Sequence, residues 1–367
     1  KAMKKLTYLL AAAAVFTACN SGNNGYTVTG TIEGATDGDT VYLQTVEGRQ
    51  LVKLDSAIIA NGTFTFKGTQ DTAANRYITY NPAGTEGMIM DFFLENGKIN
   101  IKLNEKSSSA TGTANNDIYQ AIRIQLNELD SQMENIYASM ADTALTDQQR
   151  ESKSKEMDAL QDKMMEVAKA SISQNITNAV GVHLLKSNYY YLDVKELDPL
   201  VSQIPATYSN DATVIRIKEN VEKMKATAVG KKFTDFEMQT PEGKTVKLSD
   251  YVGKGKTVLV DFWASWCGPC RQEMPNVVAA YNEFKAKGFG IVGVSLDNNL
   301  ESWKKAIKDL NITWAQMSDL KGWQCEGAAL YGVRAIPATV LVDQEGTIVA
   351  RNLRGDELKA KLAELMK

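Results

Sequence analysis

The stretch Trp266-Cys267-Gly268-Pro269-Cys270 decides how the C-terminal part of this chain folds. It follows the apolar run Val258–Trp263 and precedes Arg271–Pro275, which can open a helix. Two cysteines two residues apart, between a buried strand and a helix, indicate a redox-active dithiol. The helix start offers unpaired backbone N–H groups and a partial positive charge, and both stabilise a thiolate, the attacking species. Because the cysteines are one helical turn apart, the second sulfur can reach the first.

Half of a zinc site is the other interpretation of a Cys-x-x-Cys pair. Zinc takes four ligands, usually from a second cysteine pair or from histidines. The sequence has one histidine, His183, far from the motif, and no second Cys-x-x-Cys. We therefore favour the redox interpretation and predict neither a metal nor a cofactor.

Composition limits the function classes. The 367 residues exceed one average domain, so two or three compact units are expected. A net charge of −3 without a basic stripe argues against a nucleic-acid partner. The four cysteines, which include Cys19 and Cys325, are too few for a disulfide-stapled scaffold, so cysteine here indicates chemistry.

The first residues have the pattern of a targeting signal. Lys4 and Lys5 precede the apolar run Leu6–Ala18, which is too short to span a bilayer, and Cys19 follows it. This resembles a bacterial lipoprotein signal, which implies a signal peptide over 1–18, lipidation of Cys19 and a tether over 19–25. The protein would then be lipid-anchored to a membrane at the periplasmic face of the cell envelope. A cleaved secretory signal with an incidental Cys19 is the alternative, and it too takes the protein out of the cytoplasm.

Residues 26–106 have the pattern of a small β domain. Short alternating strands separated by turns predict an antiparallel β-sandwich, and Asn61-Gly62 is a strong hairpin signal. The segment carries no catalytic pattern, so a scaffold or docking module is expected. It is similar to the uncharacterised β domain found at the front of envelope-tethered thioredoxin-like proteins, a resemblance that implies a fold and no activity.

A helical region is predicted over 115–229, after a Ser/Thr-rich linker at 107–113. Apolar residues at spacings of three and four mark a long helix from Ile118 to Met140. Thr146 and Gln149 fit a capping box that opens the second helix of a hairpin. The hairpin could instead carry a dimer interface or a partner contact, and the sequence leaves that open.

From 230 to 367 the pattern becomes α/β. Strands alternate with helices, which predicts a mixed sheet covered on both faces. The segment Tyr331–Pro337 precedes another buried strand about seventy residues after the cysteine pair.

With that segment, the motif at 263–270 and Pro275, residues 230–367 resemble the thioredoxin superfamily, and more narrowly the membrane-tethered TlpA/ResA-type thiol–disulfide oxidoreductases. The resemblance implies a thioredoxin-like domain in which Cys267 is the exposed nucleophile and Cys270 the buried resolving thiol. A carboxylate six residues before Cys267 implies that Asp261 accepts a proton at the second cysteine, and an ordinary strand-end aspartate is the alternative. Glu273 matches a second acid/base candidate, although a first-turn helix glutamate would also suit the dipole. By alignment, Gly293 stands where thioredoxins have a lysine partner for the carboxylate.

The resemblance also predicts the substrate-binding residues. Pro337 should be cis and should face the dithiol, and the backbone of Ile336 should pair with an incoming polypeptide. Trp266, Gly268 and Pro269 complete the predicted surface.

The predicted activity is reduction of disulfides in exported proteins through a mixed disulfide. Gly268-Pro269 is the dipeptide of reducing thioredoxins, and the sequence lacks the histidine that strong oxidants place between the cysteines. A membrane electron donor would recharge the pair. A peroxiredoxin-like peroxidase is disfavoured because the Thr expected three residues before the cysteine is absent, and an envelope-anchored binding protein is a third hypothesis. Cys325 is left over, either as a buried apolar residue or as a regulatory thiol.

Overall fold

The computed structural model describes residues 25–82, 87–105, 107–142 and 144–366. They belong to two compact units, Lys1–Val167 and Ala168–Lys367. The predicted signal peptide and Cys19 lie outside the described residues. Within the described ranges, no helix combines the length and the apolar character needed to cross a bilayer.

Two four-stranded sheets form the β-rich part of the first unit. One sheet has the strand order β4-β1-β7-β8 and the other β3-β2-β5-β6. Buried apolar residues that include Val28, Phe64 and Phe92 form one core cluster. The strands are β1 Tyr26–Ile32, β2 Thr40–Glu47, β3 Gln50–Ile58, β4 Thr63–Gly68, β5 Ala74–Tyr80, β6 Met88–Leu94, β7 Gly97–Leu103 and β8 Ser109–Thr111.

The prediction of a purely antiparallel domain is wrong in one strand pair. β1 and β7 run parallel, from the Tyr26–Gly97 pair to the Ile32–Leu103 pair. The chain passes through the other sheet twice between these strands, so that β7 enters the first sheet in the same direction as β1. Part of the predicted linker also belongs to this sheet, since β8 pairs with β7.

The tight turn predicted at Asn61-Gly62 is present, but the strands that flank it do not pair with each other. Both residues have positive φ, 51° and 66°, and they form a tight turn closed by the Ala60–Thr63 bridge. β3, however, pairs with β2, and β4 pairs with β1. The turn therefore connects one sheet to the other. This places apolar strands on both sides of the core.

Five helices follow: α1 Ala114–Met140, α2 Asp147–Asn175, α3 Ala179–Asn188, α4 Val194–Ser202 and α5 Ala212–Ala226. The predicted capping box at α2 is present, because the Gln149 N–H donates to the Thr146 hydroxyl and the Gln149 side chain accepts from the Thr146 N–H. Sequence inspection missed α4, a short helix that contains Pro199. An Asp193/Glu196 capping box opens it.

The sheet of the second unit has the order β13-β12-β11-β14-β15. The first three strands are parallel, and β14 and β15 are antiparallel to their neighbours, which confirms the predicted mixed sheet. A separate two-stranded sheet, β9 Glu237–Gln239 and β10 Thr245–Lys247, comes first in the sequence. The strands of the main sheet and the helices around them are β11 Thr257–Trp263, α6 Gly268–Phe284, β12 Phe289–Ser295, α7 Leu300–Asp309, β13 Ala315–Met317, α8 Glu326–Leu330, β14 Ala338–Val342, β15 Ile348–Arg351 and α9 Gly355–Leu365.

Candidate active site

The cysteine pair lies where the central strand β11 gives way to α6. Cys267 is the N-cap of α6, and the Cys270 N–H donates to its Sγ at 3.1 Å. Cys267 and Cys270 form a disulfide. Pro269 fits the first turn, where a helix needs no backbone N–H. The local sequence therefore places one sulfur at the positive end of a 17-residue helix and the other one turn inside it.

In the disulfide form, Cys267 is less accessible than predicted. Its exposed fraction is 4% and that of Cys270 is 1%. The prediction of an exposed nucleophile is thus wrong for this redox state, in which the Cys267 sulfur is bonded to Cys270 and lies 3.6 Å from the Ile336 carbonyl oxygen. Cys267 still contributes to the wall of an open groove, whose lining does not include Cys270.

The segment before β14 lies against the dithiol although it is about seventy residues away in sequence. The Ile336–Pro337 peptide bond is cis, as predicted. The Ile336 carbonyl oxygen is 3.6 Å from the Cys267 sulfur. The backbone of this segment therefore lies close enough to a polypeptide bonded to Cys267 to form hydrogen bonds with it.

An aromatic groove opens beside Cys267, with a volume of about 450 Å³. Trp266 and Trp323 are each 52% exposed, and their ring centroids are 6.1 Å apart. Sequence inspection missed Trp323, because its position beside Trp266 depends on the chain between β13 and α8. The groove is lined by Tyr190, Trp266, Cys267, Gly268, Pro269, Trp323, Arg334, Ala335 and Ile336.

Tyr190 of this groove comes from the helical segment before the redox domain. Arg334, three residues before Pro337, stacks on the Tyr189 ring at 4.8 Å and donates to the Leu192 carbonyl at 3.2 Å. These contacts hold the short turn Tyr189–Tyr191 at the edge of the groove. A run of three tyrosines was the available signal in the sequence, but nothing in it indicates a position beside the dithiol.

Asp261 is the buried carboxyl group of the site, with an exposed fraction of 3%. Burial, assisted by the negative charge of Glu273, raises the pKa of Asp261 to about 7. In the sheet it pairs with Gly293 on β12 and with Thr339 on β14. A carboxyl group with a pKa near neutrality can both accept and return a proton at physiological pH.

Glu273 is half-buried on α6 and has structural partners. Its carboxylate accepts from the Gly355 N–H at 2.7 Å and from the Asn276 amide at 3.0 Å. It therefore ties α6 to the start of α9 and also acts electrostatically on Asp261. Its predicted acid/base role stays a prediction.

Asp297 is a residue that sequence inspection missed. It is 1% exposed, and its carboxylate accepts from the Ser265 N–H and hydroxyl and from the Ser295 hydroxyl. These bonds fix the loop between β11 and Cys267.

Cys325 is a free thiol that is fully buried, and its sulfur accepts from the Ala328 N–H at 3.5 Å at the start of α8. Burial raises its pKa to about 11, so it stays protonated and unreactive at neutral pH.

A disulfide at a helix start, a cis-proline segment against it and a buried carboxyl group beneath the sheet define a thioredoxin-like thiol–disulfide oxidoreductase.

Comparison with known proteins gives the family. Residues 229–351 match the AhpC/TSA family, and residues 26–119 match a domain of unknown function (DUF4369). Thiol-disulfide oxidoreductase ResA of Bacillus thuringiensis subsp. konkukian is 32% identical over 139 residues, which are 38% of this chain and 77% of that protein. ResA of Oceanobacillus iheyensis is 35% identical over 37% of this chain and 71% of that protein. The chain belongs to the ResA-type thiol–disulfide oxidoreductases.

One solved structure is similar over part of the chain. The thioredoxin domain of a thiol-disulfide oxidoreductase from Bacteroides vulgatus is 40% identical, and the match covers 38% of this chain and 99% of that one with a TM-score of 0.36.

Proposed function

We propose that this enzyme reduces disulfides of exported proteins through a mixed disulfide on Cys267. The observation that carries the proposal is the position of the Cys267 sulfur. It lies at the start of α6, in the wall of an open groove and 3.6 Å from the Ile336 carbonyl oxygen. A client strand lying in this groove would place its own disulfide against that sulfur.

The first step begins from the reduced pair. The Cys267 thiolate, stabilised by the helix start, attacks one sulfur of the client disulfide. The client S–S bond breaks, a Cys267–client S–S bond forms, and the second client sulfur leaves as a thiolate.

Cys270 completes the reaction. Asp261 accepts the proton of the Cys270 thiol, and the resulting thiolate attacks the Cys267 sulfur. The mixed disulfide breaks, the Cys267–Cys270 disulfide forms, and the client leaves reduced by two electrons. Its two thiolate sulfurs take up protons from water, and Asp261 returns its proton to solvent. A pKa of about 7 keeps a large fraction of Asp261 ionised at neutral pH and able to take that proton.

The reducing direction is supported by the residues between the cysteines. Gly268 and Pro269 carry no charge, so the thiolate is stabilised by the helix start and has no added stabilisation from a histidine between the cysteines. Each turnover leaves a disulfide, so the enzyme needs a dithiol donor, for which we propose a membrane protein. Attachment through Cys19 at the periplasmic face would keep the enzyme close to that donor.

Replacing Cys270 with serine is expected to trap the client. The variant can form the Cys267–client disulfide but has no second thiol to release it. Full-length Cys270→Ser should therefore accumulate covalent adducts that dithiothreitol cleaves by reducing the mixed disulfide. Mass spectrometry of these adducts identifies the clients.

Cys267→Ser/Cys270→Ser is the matched control and should form no adducts. Equal adduct yields from the single and double variants would show that Cys267 is not the attacking sulfur, and the mixed-disulfide proposal would then be abandoned.

Tyr190→Ala is expected to weaken the binding of protein substrates. Tyr190 lines the groove and is 41% exposed, so a client strand can cover its ring. Losing this contact should cost about 1 kcal/mol, roughly fivefold in kcat/KM for a protein disulfide. A small disulfide such as hydroxyethyl disulfide should react at the native rate.

Tyr137→Ala is the control, since Tyr137 is a 72% exposed tyrosine on α1 that is not part of the groove lining. If both variants have the same effect, or if the small disulfide slows as much as the protein, the groove does not bind clients at Tyr190.

A further inference from the structure

Gln316, on the short strand β13, is a buried polar residue to which neither the sequence nor the mechanism above assigns a role. It is 5% exposed, and its Oε1 accepts from the Trp263 indole N–H at 3.0 Å. Its Nε2 is buried and has no hydrogen-bond partner among the described residues. An unpaired buried donor costs free energy, so its retention calls for an explanation.

The indole of Trp263 fixes which way this amide faces. An indole nitrogen can only donate, so the amide oxygen must point to Trp263 and the NH2 group must point away from it. Trp263 and Asp261 lie two residues apart on β11, so their side chains are on the same face of the sheet.

Gly293 lets Gln316 reach toward Asp261. The three residues form one row across the sheet, with Asp261 opposite Gly293 and Gly293 opposite Gln316. A β-carbon on Gly293 would lie 2.1 Å from Gln316 Nε2, so the amide occupies the space that a side chain at 293 would take. Neighbouring strands are about 4.8 Å apart and Nε2 has no direct partner, so one bridging water is needed to connect the NH2 group to the carboxyl group of Asp261.

We propose that Gln316 is a positioning residue for Asp261: its amide NH2 lies above Gly293 and donates to the carboxylate through one bridging water. A donor to the charged form favours ionisation, so Gln316 opposes the effect of burial. It keeps Asp261 able to accept a proton at neutral pH in a site that has no cation in this row. The inference rests on the proposed function in one respect only, that Asp261 is the group that accepts the proton of the Cys270 thiol.

Among the other described groups around Asp261, none donates a hydrogen bond to its carboxylate or places a positive charge beside it. The neighbouring strands β12, β13 and β14 contain no ionisable side chain. Thr339, on the other side of Asp261, donates its hydroxyl to the Leu353 carbonyl at 3.1 Å. On α6, Glu273 is the charged residue that acts on Asp261 and it raises the pKa. Arg271 and Glu283 of the same helix are exposed, and the two cysteines are joined in the disulfide.

The test is the titration of Asp261 in the oxidised full-length protein, followed by carboxyl ¹³C NMR and assigned with Asp261→Asn. Gln316→Leu keeps the volume and removes the donor, and should raise the pKa of Asp261 by about one pH unit, a shift typical of one hydrogen bond to a charged group. Gly293→Ala should shift it in the same direction, because the new methyl group displaces the amide. Turnover of Gln316→Leu at pH 6 should fall about tenfold and recover at high pH, since a one-unit shift changes the ionised fraction tenfold.

Thr339→Val is the matched control: it removes a buried hydroxyl from the opposite neighbour of Asp261 and should leave the titration unchanged. An unchanged titration in both Gln316→Leu and Gly293→Ala would overturn the proposal, whatever the activity. A shifted titration without any disulfide reductase turnover in the native protein would instead support Gln316 and contradict the proposed function.

Discussion

Cys267→Ser is expected to abolish disulfide reduction, lowering kcat/KM for a protein disulfide by a factor on the order of 10³ or more. A serine hydroxyl at the start of α6 stays protonated at neutral pH, whereas a thiol at the same place ionises. Cys270 cannot substitute for it, since Cys270 is 1% exposed and is not part of the groove lining. The measurement is reduction of insulin by the full-length protein with a dithiol as electron donor.

Cys325→Ala is the matched control for the loss of a cysteine. Its thiol is buried away from solvent and protonated, so turnover should stay within about twofold of native, with a small loss of stability from the removed sulfur. Comparable losses in the Cys267 and Cys325 variants, or full turnover in Cys267→Ser, would contradict the assignment of Cys267 as the nucleophile.

Asp261→Asn is expected to stabilise the oxidised protein at alkaline pH while slowing turnover. The pKa of Asp261 is about 7 in the fold against 3.8 as the ordinary value. Between these values the unfolded chain ionises and the folded one stays protonated, so native stability falls as the pH rises from about 4 to 7. About three pH units correspond to about 4 kcal/mol, which the amide variant would regain above pH 7.

Denaturant unfolding of both proteins at pH 4, 6 and 8 measures this difference. The gain of Asp261→Asn should be near zero at pH 4, intermediate at pH 6 and largest at pH 8. Glu273→Gln is the companion variant, because removing the second charge should lower the pKa of Asp261 and shift the same curve to lower pH. A stability difference that does not change with pH would mean that Asp261 is not a buried group with a raised pKa.

The redox domain could be predicted from sequence because its elements are regular and its chemistry is local. The Cys-x-x-Cys pair, the apolar strand before it and the Ile336–Pro337 dipeptide each leave a signal within a few residues. The carboxylate at Asp261 and the missing side chain at Gly293 could be predicted from the resemblance to thioredoxins.

Features that depend on distant contacts could not be predicted. β13 is three residues long and carries no periodicity, so Gln316 could not be placed in the row of Asp261 and Gly293. The turn at Asn61-Gly62 has hairpin residues, yet the burial of Phe64 and Phe66 sends β4 to another sheet. Tyr190 lies beside the dithiol because Arg334 binds the turn that contains it, through a hydrogen bond to Leu192, 142 positions away.

The Arg334 contact has a practical consequence for dissecting the protein. A fragment that begins at Gly230 keeps both cysteines, but it removes the tyrosine ring and the Leu192 carbonyl that hold this guanidinium, and also Thr227, to which Arg351 donates at 2.6 Å. Two half-buried cations would then lose these partners and face water. Kinetic constants from so short a piece would describe an altered enzyme, whereas cutting near Ala168 preserves the whole second unit.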